Sequence, residues 1–467
     1  MKILLVVHQF LPRHAAGTEI YAYHLAKELQ ARGHGVHLYF TEIHGDRPQY
    51  ELRKGEYEGL PFHEAVHNHF FPSFTHHYLD PDQEKNFVTV LDEVKPDLVH
   101  FQHLHLHSLG YIDIAKDRGL PIAYTLHEYI LMCLRGGQLL PPDGPVCQGP
   151  EPEKCAACAT LYPLPEEPVR RPPSRREMQV KSWMPRPVRK FLGRFRAKDG
   201  KEVAPLVADE PQVSGDPYVP AVQTRLEAIK QRLAKVDLFI SPSAFLRDRF
   251  IDNGFIDPGK ILFSDNGFFV EPFEALQGRE TPPVDVEKLR VGFVGTIAPY
   301  KGVHVLVEAF QGIEEPCVTC RIWGDLGTFP DYKSQLLEME KPDNLVFEGR
   351  FDNSKIAEVL AQVDVLVVPS IWFENSPLTI HEAFLAGIPV LASDQGGMAE
   401  LVQDGVNGLH FSMGDAEDLR AKILRLAREE GLLASLRGFP HIKTIAEDTD
   451  LMERRYEMLL AGETPRT

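Results

Sequence analysis

The stretch VDVLVVPSIWFENSPLTIHEAFLAGIPVLAS, residues 363–393, holds two apolar runs on either side of a helix-like segment. VDVLVVPS (363–370) and PVLAS (389–393) carry the continuous Val/Leu content of strands covered on both faces, as in a parallel sheet. Between them Ser376 can cap a helix. Pro377 suits its first position, where a missing N–H costs nothing, and Gly387 ends it after Ala386. Strand, helix and strand form one β-α-β unit.

The same rhythm extends outward. LRVGFVG, VTCRIWG and NLVFEG precede this unit and read as further strands, the first beginning near residue 289. Upstream, KILLVV (2–7), VHLYF (36–40), DLVHF (97–101), PIAYTL (121–126), DLFIS (237–241) and KILFS (260–264) form a second series. Ile20, Leu25 and Leu29 share a helix face in TEIYAYHLAKELQARG, with Gly33 as its stop. Two alternating series imply an α/β chain of two Rossmann-like, doubly wound domains. We expect them at 1–280 and 281–440, with the Pro-rich EALQGRETPPVD (274–285) as hinge. Residues 441–467 are expected to supply a last helix that packs back on the first domain.

The chain has 467 residues and a formal net charge of −17, which argues against nucleic acid as the main partner. It has no apolar run long enough to span a membrane. Its start reads as a buried strand and not a signal peptide, so a cytoplasmic chain is expected. Residues 159–222 break the rhythm. Val169 to Lys201 holds twelve Lys or Arg against Glu177 and Asp199, with Trp183, Met184, Phe191, Leu192 and Phe195 interspersed. This insertion reads either as a solvated loop or as a basic face touching the anionic inner surface of a membrane. Pro185 and Pro187 break any helix there and favour the loop.

The helix start at Pro377 would point the N–H groups of Leu378, Thr379 and Ile380 into the crevice at the carboxyl ends of the strands. Ligands bind there in open α/β sheets, and a helix start favours phosphate. Glu382, one turn further in, can accept both hydroxyls of a ribose attached to that phosphate. Glu374 lies in the loop before the helix, on the side where a second reactant would arrive.

These residues stand in a larger pattern: ENSPLTIHEA, then AGIPV, GGMAELV and DGVNGLHF, with VGTIAPYKG (294–302), SDNG (264–267) and GTEIYAYHLAKELQARGHGVHLY (17–39) before them. The pattern resembles the retaining glycosyltransferases of family 4, of GT-B architecture, in which two Rossmann-like domains face a central cleft. The resemblance covers most of the chain. It implies a UDP- or GDP-sugar donor, with Glu382 on the ribose and Lys301 neutralising the diphosphate. It implies Gly17 in the opposite loop near the phosphate and donor sugar, and His127 with Glu374 at the chemistry. It also implies no metal in catalysis. Relatives usually carry Arg where this chain has Thr296; a hydroxyl brings no charge, so Lys301, the helix start and a further Arg, with Arg350 as candidate, are expected to compensate. The acceptor is a glycan, a lipid-linked sugar or a small molecule, and His105, Trp372 and Phe373 are candidates to touch it.

Cys133, Cys147, Cys155 and Cys158 fall in one loop-rich stretch. Four thiolates can close a structural zinc site, and four free thiols are the other reading. Two rival functions use the same architecture: a sugar-nucleotide 2-epimerase and a non-catalytic sugar-nucleotide or glycan binder. The ENSPLTIHEA pattern speaks against the first, the joint presence of Glu374 and Lys301 against the second.

Overall fold

The computed structural model describes residues 1–141, 145–161, 218–276 and 288–465. Most of the basic insertion, including Trp183 and Phe191, and most of the expected hinge lie outside the described residues.

The first sheet is built from β1 (Lys2–Val6), β2 (Gly35–Glu42), β3 (Leu52–Tyr57), β4 (Leu60–Val66), β5 (Leu98–Phe101), β6 (Ile122–Thr125), β7 (Leu238–Ser241) and β8 (Ile261–Phe263). Their order is β3-β4-β2-β1-β5-β6-β7-β8. All neighbours are parallel except β3, which runs antiparallel to β4 as an edge hairpin. The second sheet comprises β9 (Leu289–Val294), β10 (Val318–Trp323), β11 (Leu345–Gly349), β12 (Val365–Val368), β13 (Val390–Ser393) and β14 (Gly408–Phe411). It is wholly parallel, in the order β11-β10-β9-β12-β13-β14.

Strand alternation sends side chains to two cores. Leu4, Val6, Val99 and Tyr124 enter the core on one face of the first sheet, and Ile3, Leu5, Leu98 and Ala123 the core on the other. The second sheet divides in the same way, with Val365, Val367 and Leu391 on one side and Leu366, Val368 and Val390 on the other. Both sheets are therefore covered twice, which is why their central strands read as unbroken apolar runs.

The chain crosses between the domains in two places that touch. Phe268 donates its N–H to the Lys443 carbonyl (3.0 Å), and Ile445 donates back to the Phe268 carbonyl (2.7 Å). A Cβ on Gly267 would stand 2.6 Å from Asp448 Cβ and 2.8 Å from the Thr444 carbonyl oxygen, so only glycine fits this crossing. Phe268, Phe273 and Leu276 already pack in a second-domain core, ahead of the expected boundary at 280.

The helix Ile445–Leu460 returns to the first domain. Thr444 and Glu447 close a capping box at its start. Ile445, Met452, Tyr456 and Leu459 join the core around Ile3 and Leu5. Tyr456 Oη meets His100 Nδ1 at 2.6 Å, and Tyr21 Oη donates to Asp448 at 2.8 Å. Among the described residues no helix is long and apolar enough to cross a membrane. Met452 is fully buried in this seam, so Met452→Ala is expected to lower stability by about 2–5 kcal/mol. The urea midpoint of the full chain checks this.

Candidate active site

The carboxyl ends of β9 and β12 meet at two loops. Ile371 donates its N–H to the Tyr300 carbonyl (2.9 Å), joining the loop after β12 to the turn Pro299–Lys301. Gly302 has φ +67°, and a Cβ on it would lie 1.8 Å from the Pro369 carbonyl oxygen. That contact explains the glycine ending VGTIAPYKG and brings Lys301 to Glu374. Lys301 Nζ donates to Glu374 Oε1 at 2.6 Å, and Ser370 Oγ donates to the same oxygen at 2.6 Å. Glu374 is 5% exposed. The two side chains assigned separate tasks from the sequence thus form one ion pair.

Behind Glu374, Gly397 donates its N–H to the Glu374 carbonyl at 2.7 Å. A Cβ on Gly397 would fall 1.4 Å from the Asn375 carbonyl oxygen. The Gly-Gly pair therefore lets the following helix (Gly396–Leu401) press directly on the loop that carries Glu374.

The helix Leu378–Leu385 begins differently from the expectation. Pro377, with φ −62° and ψ 116°, occupies the cap position. Ser376 is no cap: its hydroxyl donates to Asp265 Oδ1 at 2.7 Å. The Ile380 amide is not free either, since it turns back to the Pro377 carbonyl (3.1 Å). Among the described residues the amides of Leu378 and Thr379 have no partner, and they are the groups left to meet an anion.

Asp265 of the SDNG turn fixes this helix. Its Oδ2 accepts from His381 Nε2 (2.7 Å), and His381 Nδ1 donates to the Pro377 carbonyl (3.1 Å). Burial disfavours charge on both partners. The His381 charge and the hydrogen bonds from His381, Ser376 and Asn266 outweigh it and hold the Asp265 carboxyl below its usual range. Asp265 in turn holds the His381 pKa above the ordinary imidazole value. His381 stacks on Phe268 at 4.6 Å. Glu382, the next residue, is half-buried, and its carboxyl has no hydrogen-bond partner among the described residues. Burial pushes its carboxyl up to about 7, against the opposing charge of His381.

Across the cleft, Gly17 opens the helix Gly17–Ala31 opposite Leu378. A Cβ there would sit 3.6 Å from Leu378 Cγ, an ordinary contact, so the chain itself does not require glycine at this point. His127, just beyond β6, donates from Nε2 to Gln102 Oε1 (2.9 Å). Burial lowers its pKa to about 3, against the pull of Glu19, so the ring is neutral. Glu19, 2% exposed, pairs with His8 at 3.1 Å. Sequence reading missed His8, Glu19, Gln102, Asp265 and His381; an acid in a helix's first turn and one inside SDNG were the available signals.

Other candidates sit elsewhere. Phe373 is 2% exposed and packs on Phe245 (5.0 Å) under the Arg249 guanidinium, so it is buried between the domains and does not face an acceptor. Trp372 meets Tyr300 edge-on at 5.3 Å, and Lys301 Nζ lies 5.7 Å above its ring. Thr296 is exposed after Gly295. The Arg350 side chain is 80% exposed, 3.9 Å from Asp325 and at the end of edge strand β11, with β10 between it and β9. It does not reach Lys301 or Glu374 because solvent, and no buried carboxylate, draws it. His105 stands among other histidines, 6.2 Å from His8. The four clustered cysteines are free, and Cys133 and Cys147 pack against the first core. Among the described residues no three His, Cys, Asp or Glu are arranged to hold a metal.

Residues 15–143 match the family described as Glycosyltransferase Family 4, and residues 277–437 that described as Glycosyl transferases group 1, together more than half of the chain. The chain belongs to the family 4, group 1 glycosyltransferases. It is 30% identical over 174 residues to the 2-deoxystreptamine glucosyltransferase of Streptomyces kanamyceticus, covering 34% of this chain and 45% of that protein. It is 27% identical over 238 residues to the D-inositol 3-phosphate glycosyltransferase of Actinosynnema mirum, covering 48% and 57%. The chain thus spans about half the length of the relatives it matches. In fold it resembles Anabaena HepE in complex with UDP and glucose, with TM-score 0.60 and 18% identity over 98% of this chain and 99% of that one. In this family 4 member, then, the two sheets are the two GT-B domains, and the loops described above line the cleft between them.

Asp265→Asn tests the pair that seats the helix Leu378–Leu385. Removing one partner of a buried ion pair is expected to cost about 3–5 kcal/mol. The His381 contribution is full below its ordinary value of 6.5 and is lost as pH rises through its elevated pKa. The Asp265 contribution is present above 3.8 and is lost as pH falls through its lowered pKa. The gap in urea midpoint between Asp265→Asn and the parent is therefore expected to be larger near pH 5.5 than near pH 9.

Proposed function

We propose that this protein is a retaining glycosyltransferase that moves a sugar from a UDP- or GDP-sugar to a hydroxyl of a glycan, lipid-linked or small-molecule acceptor. The observation that carries the reading is the 2.6 Å Lys301–Glu374 pair beside a helix start with two free amides. A diphosphate leaving group needs that combination of a cation and oriented N–H groups, because negative charge grows on it as the glycosidic bond breaks. The Leu378 and Thr379 amides would hold a phosphate. Glu382, on the same helix, would accept the ribose hydroxyls. Lys301 would turn from Glu374 toward the diphosphate, freeing the carboxylate for the sugar. HepE, of the same fold, was solved with UDP and glucose, which supports a nucleotide-sugar ligand in this cleft.

In the step itself the bond from the anomeric carbon to the diphosphate oxygen breaks, and a bond to the acceptor oxygen forms on the same face. The acceptor proton passes to the departing diphosphate. The neutral His127 and Glu374 orient the sugar and stabilise its developing positive charge.

Donor screening with UDP- and GDP-sugars, scored by nucleotide release, tests the reaction. Proton NMR of the product is expected to show the anomeric configuration of the donor; inversion overturns the retaining assignment. Lys301→Ala is expected to lower kcat at least 100-fold, about 2.7 kcal/mol of barrier.

The ribose role has its own pH signature. The Glu382 carboxyl titrates near 7 in the free chain, and accepting two hydroxyls favours the ionised form. Nucleotide Kd is therefore expected to rise up to about tenfold per pH unit below 7 and to level off above it. Glu382→Gln is expected to weaken binding and abolish the slope. Calorimetry from pH 5 to 8.5 reads both, and a flat profile in the parent rules the role out.

A further inference from the structure

We propose that the acceptor is an uncharged carbohydrate, its hydroxyls received by a run of imidazoles at the carboxyl edge of the first sheet: His8, His103, His105 and His69. This rests on the transferase reading above and names the substrate class of its acceptor side.

Placement comes first. β4, β2, β1, β5 and β6 are neighbours and run parallel, so the residues after them share one edge. His8 follows β1, His69 follows β4, His103 and His105 follow β5, and His127 follows β6. The rings form a continuous row. His8 and His103 lie 4.1 Å apart, His103 and His105 6.0 Å, and His105 and His69 6.3 Å. From His105 the row borders a small cleft lined by His77, His107, Leu104 and Ile130.

The row is under-satisfied. His8 Nδ1, Glu19 Oε2, His69 Nε2 and His77 Nδ1 are buried without a hydrogen-bond partner. Each unmade bond costs roughly 1–3 kcal/mol, and the part-exposed rings of His8 and His69 would turn to offer these atoms to a ligand's hydroxyls.

Chemistry then selects the ligand. Burial lowers the pKa of His69, His103, His105 and His77, so these rings are neutral. A neutral imidazole offers one donor and one acceptor, the same complement as a hydroxyl; a phosphate or carboxylate needs donors alone. The arginines of this edge are committed. Arg225 donates to the Ile130 and Leu131 carbonyls, and Arg53 to Glu64. Buried Glu42 and Glu64 also draw the half-exposed Arg13, at 3.5 and 3.9 Å, so that cation too has carboxylate partners at this edge.

The test uses the full chain and whichever sugar nucleotide gives slow nucleotide release without acceptor. Methyl glucoside and cellotriose are compared with methyl glucuronide and glucose 1-phosphate at equal concentration. Neutral sugars are expected to stimulate release at least tenfold and the anionic ones less than twofold. His105→Phe and His69→Phe are expected to raise acceptor KM at least tenfold while donor KM moves less than threefold. His105→Gln and His69→Gln, which restore a donor and an acceptor, are expected to return KM to within threefold of the parent. Preference for the anionic sugars, or Phe variants with parental acceptor KM, overturns the proposal while leaving the transferase reading intact. Absence of nucleotide binding and release with every donor overturns both.

Discussion

The Asp265–His381 ion pair is the constraint on which the cleft depends. Asp265 sits just beyond the last strand of the first sheet, and His381 lies on the helix Leu378–Leu385 of the second domain. One carboxylate takes both His381 and the Ser376 hydroxyl, so it fixes the helix and the residue before it together. Such a pair is expensive to bury and adds little to net stability compared with an apolar contact. Its value is orientation. It holds the helix start whose Leu378 and Thr379 amides are free and whose Leu378 side chain faces Gly17, with the Glu382 carboxyl unpaired on the same helix. Nearby contacts repeat the arrangement: Ser243 Oγ donates to Asn375 at 2.6 Å, and Glu400 accepts from the amides of Ala244 and Phe245 at 2.9 Å.

The two walls of the cleft differ in chemistry. The second-domain wall offers Lys301, two helix amides and a carboxyl titrating near neutrality, a set suited to a nucleotide's phosphates and ribose. The first-domain wall offers neutral imidazoles and committed arginines, a set suited to hydroxyls. A transferase has to hold a dianionic leaving group and a neutral nucleophile at once. On the proposed reading, a free cation on one wall and neutral imidazoles beside paired charges on the other would disfavour each substrate in the other's place.

The parallel core was legible in the sequence because strands covered on both faces leave unbroken apolar runs, as in KILLVV and VDVLVVPS. The β3–β4 hairpin was not. Its outer strand, Leu52–Tyr57, is half exposed and holds Lys54, Gly55 and Glu56, so no such run exists. The four-residue β14 was too short to show a period. At the site, the SPLTIHEA segment marked a helix start, yet local rules misassigned its first residues. Ser376 obeys a partner 111 positions away, and no local capping rule can see Asp265. Phe373 failed for the same reason: an aromatic beside a catalytic candidate looks like a sugar platform until Phe245 and Arg249 are found to cover it. His8, His69, His103 and His105 follow strands distant in sequence, and only the sheet order makes them neighbours.

The glycines of the motifs show how these walls are held at the right distance. At 267, 302 and 397 a Cβ would collide with backbone from another segment, in two cases with a carbonyl oxygen closer than 2 Å. Gly267 lets the two domain crossings touch, so Asp265 and the returning helix share one seam. Gly302 lets the Lys301 turn lie on the strand end at Pro369. Gly397 lets the next helix clamp Glu374 from behind. Gly17, by contrast, faces only the Leu378 side chain at 3.6 Å, with space for a methyl group. Three glycines are thus dictated by the protein's own packing, and their effect is to set Glu374, Lys301 and Asp265 in place. The fourth is left unexplained by packing, and it is the one that faces the helix start across the cleft.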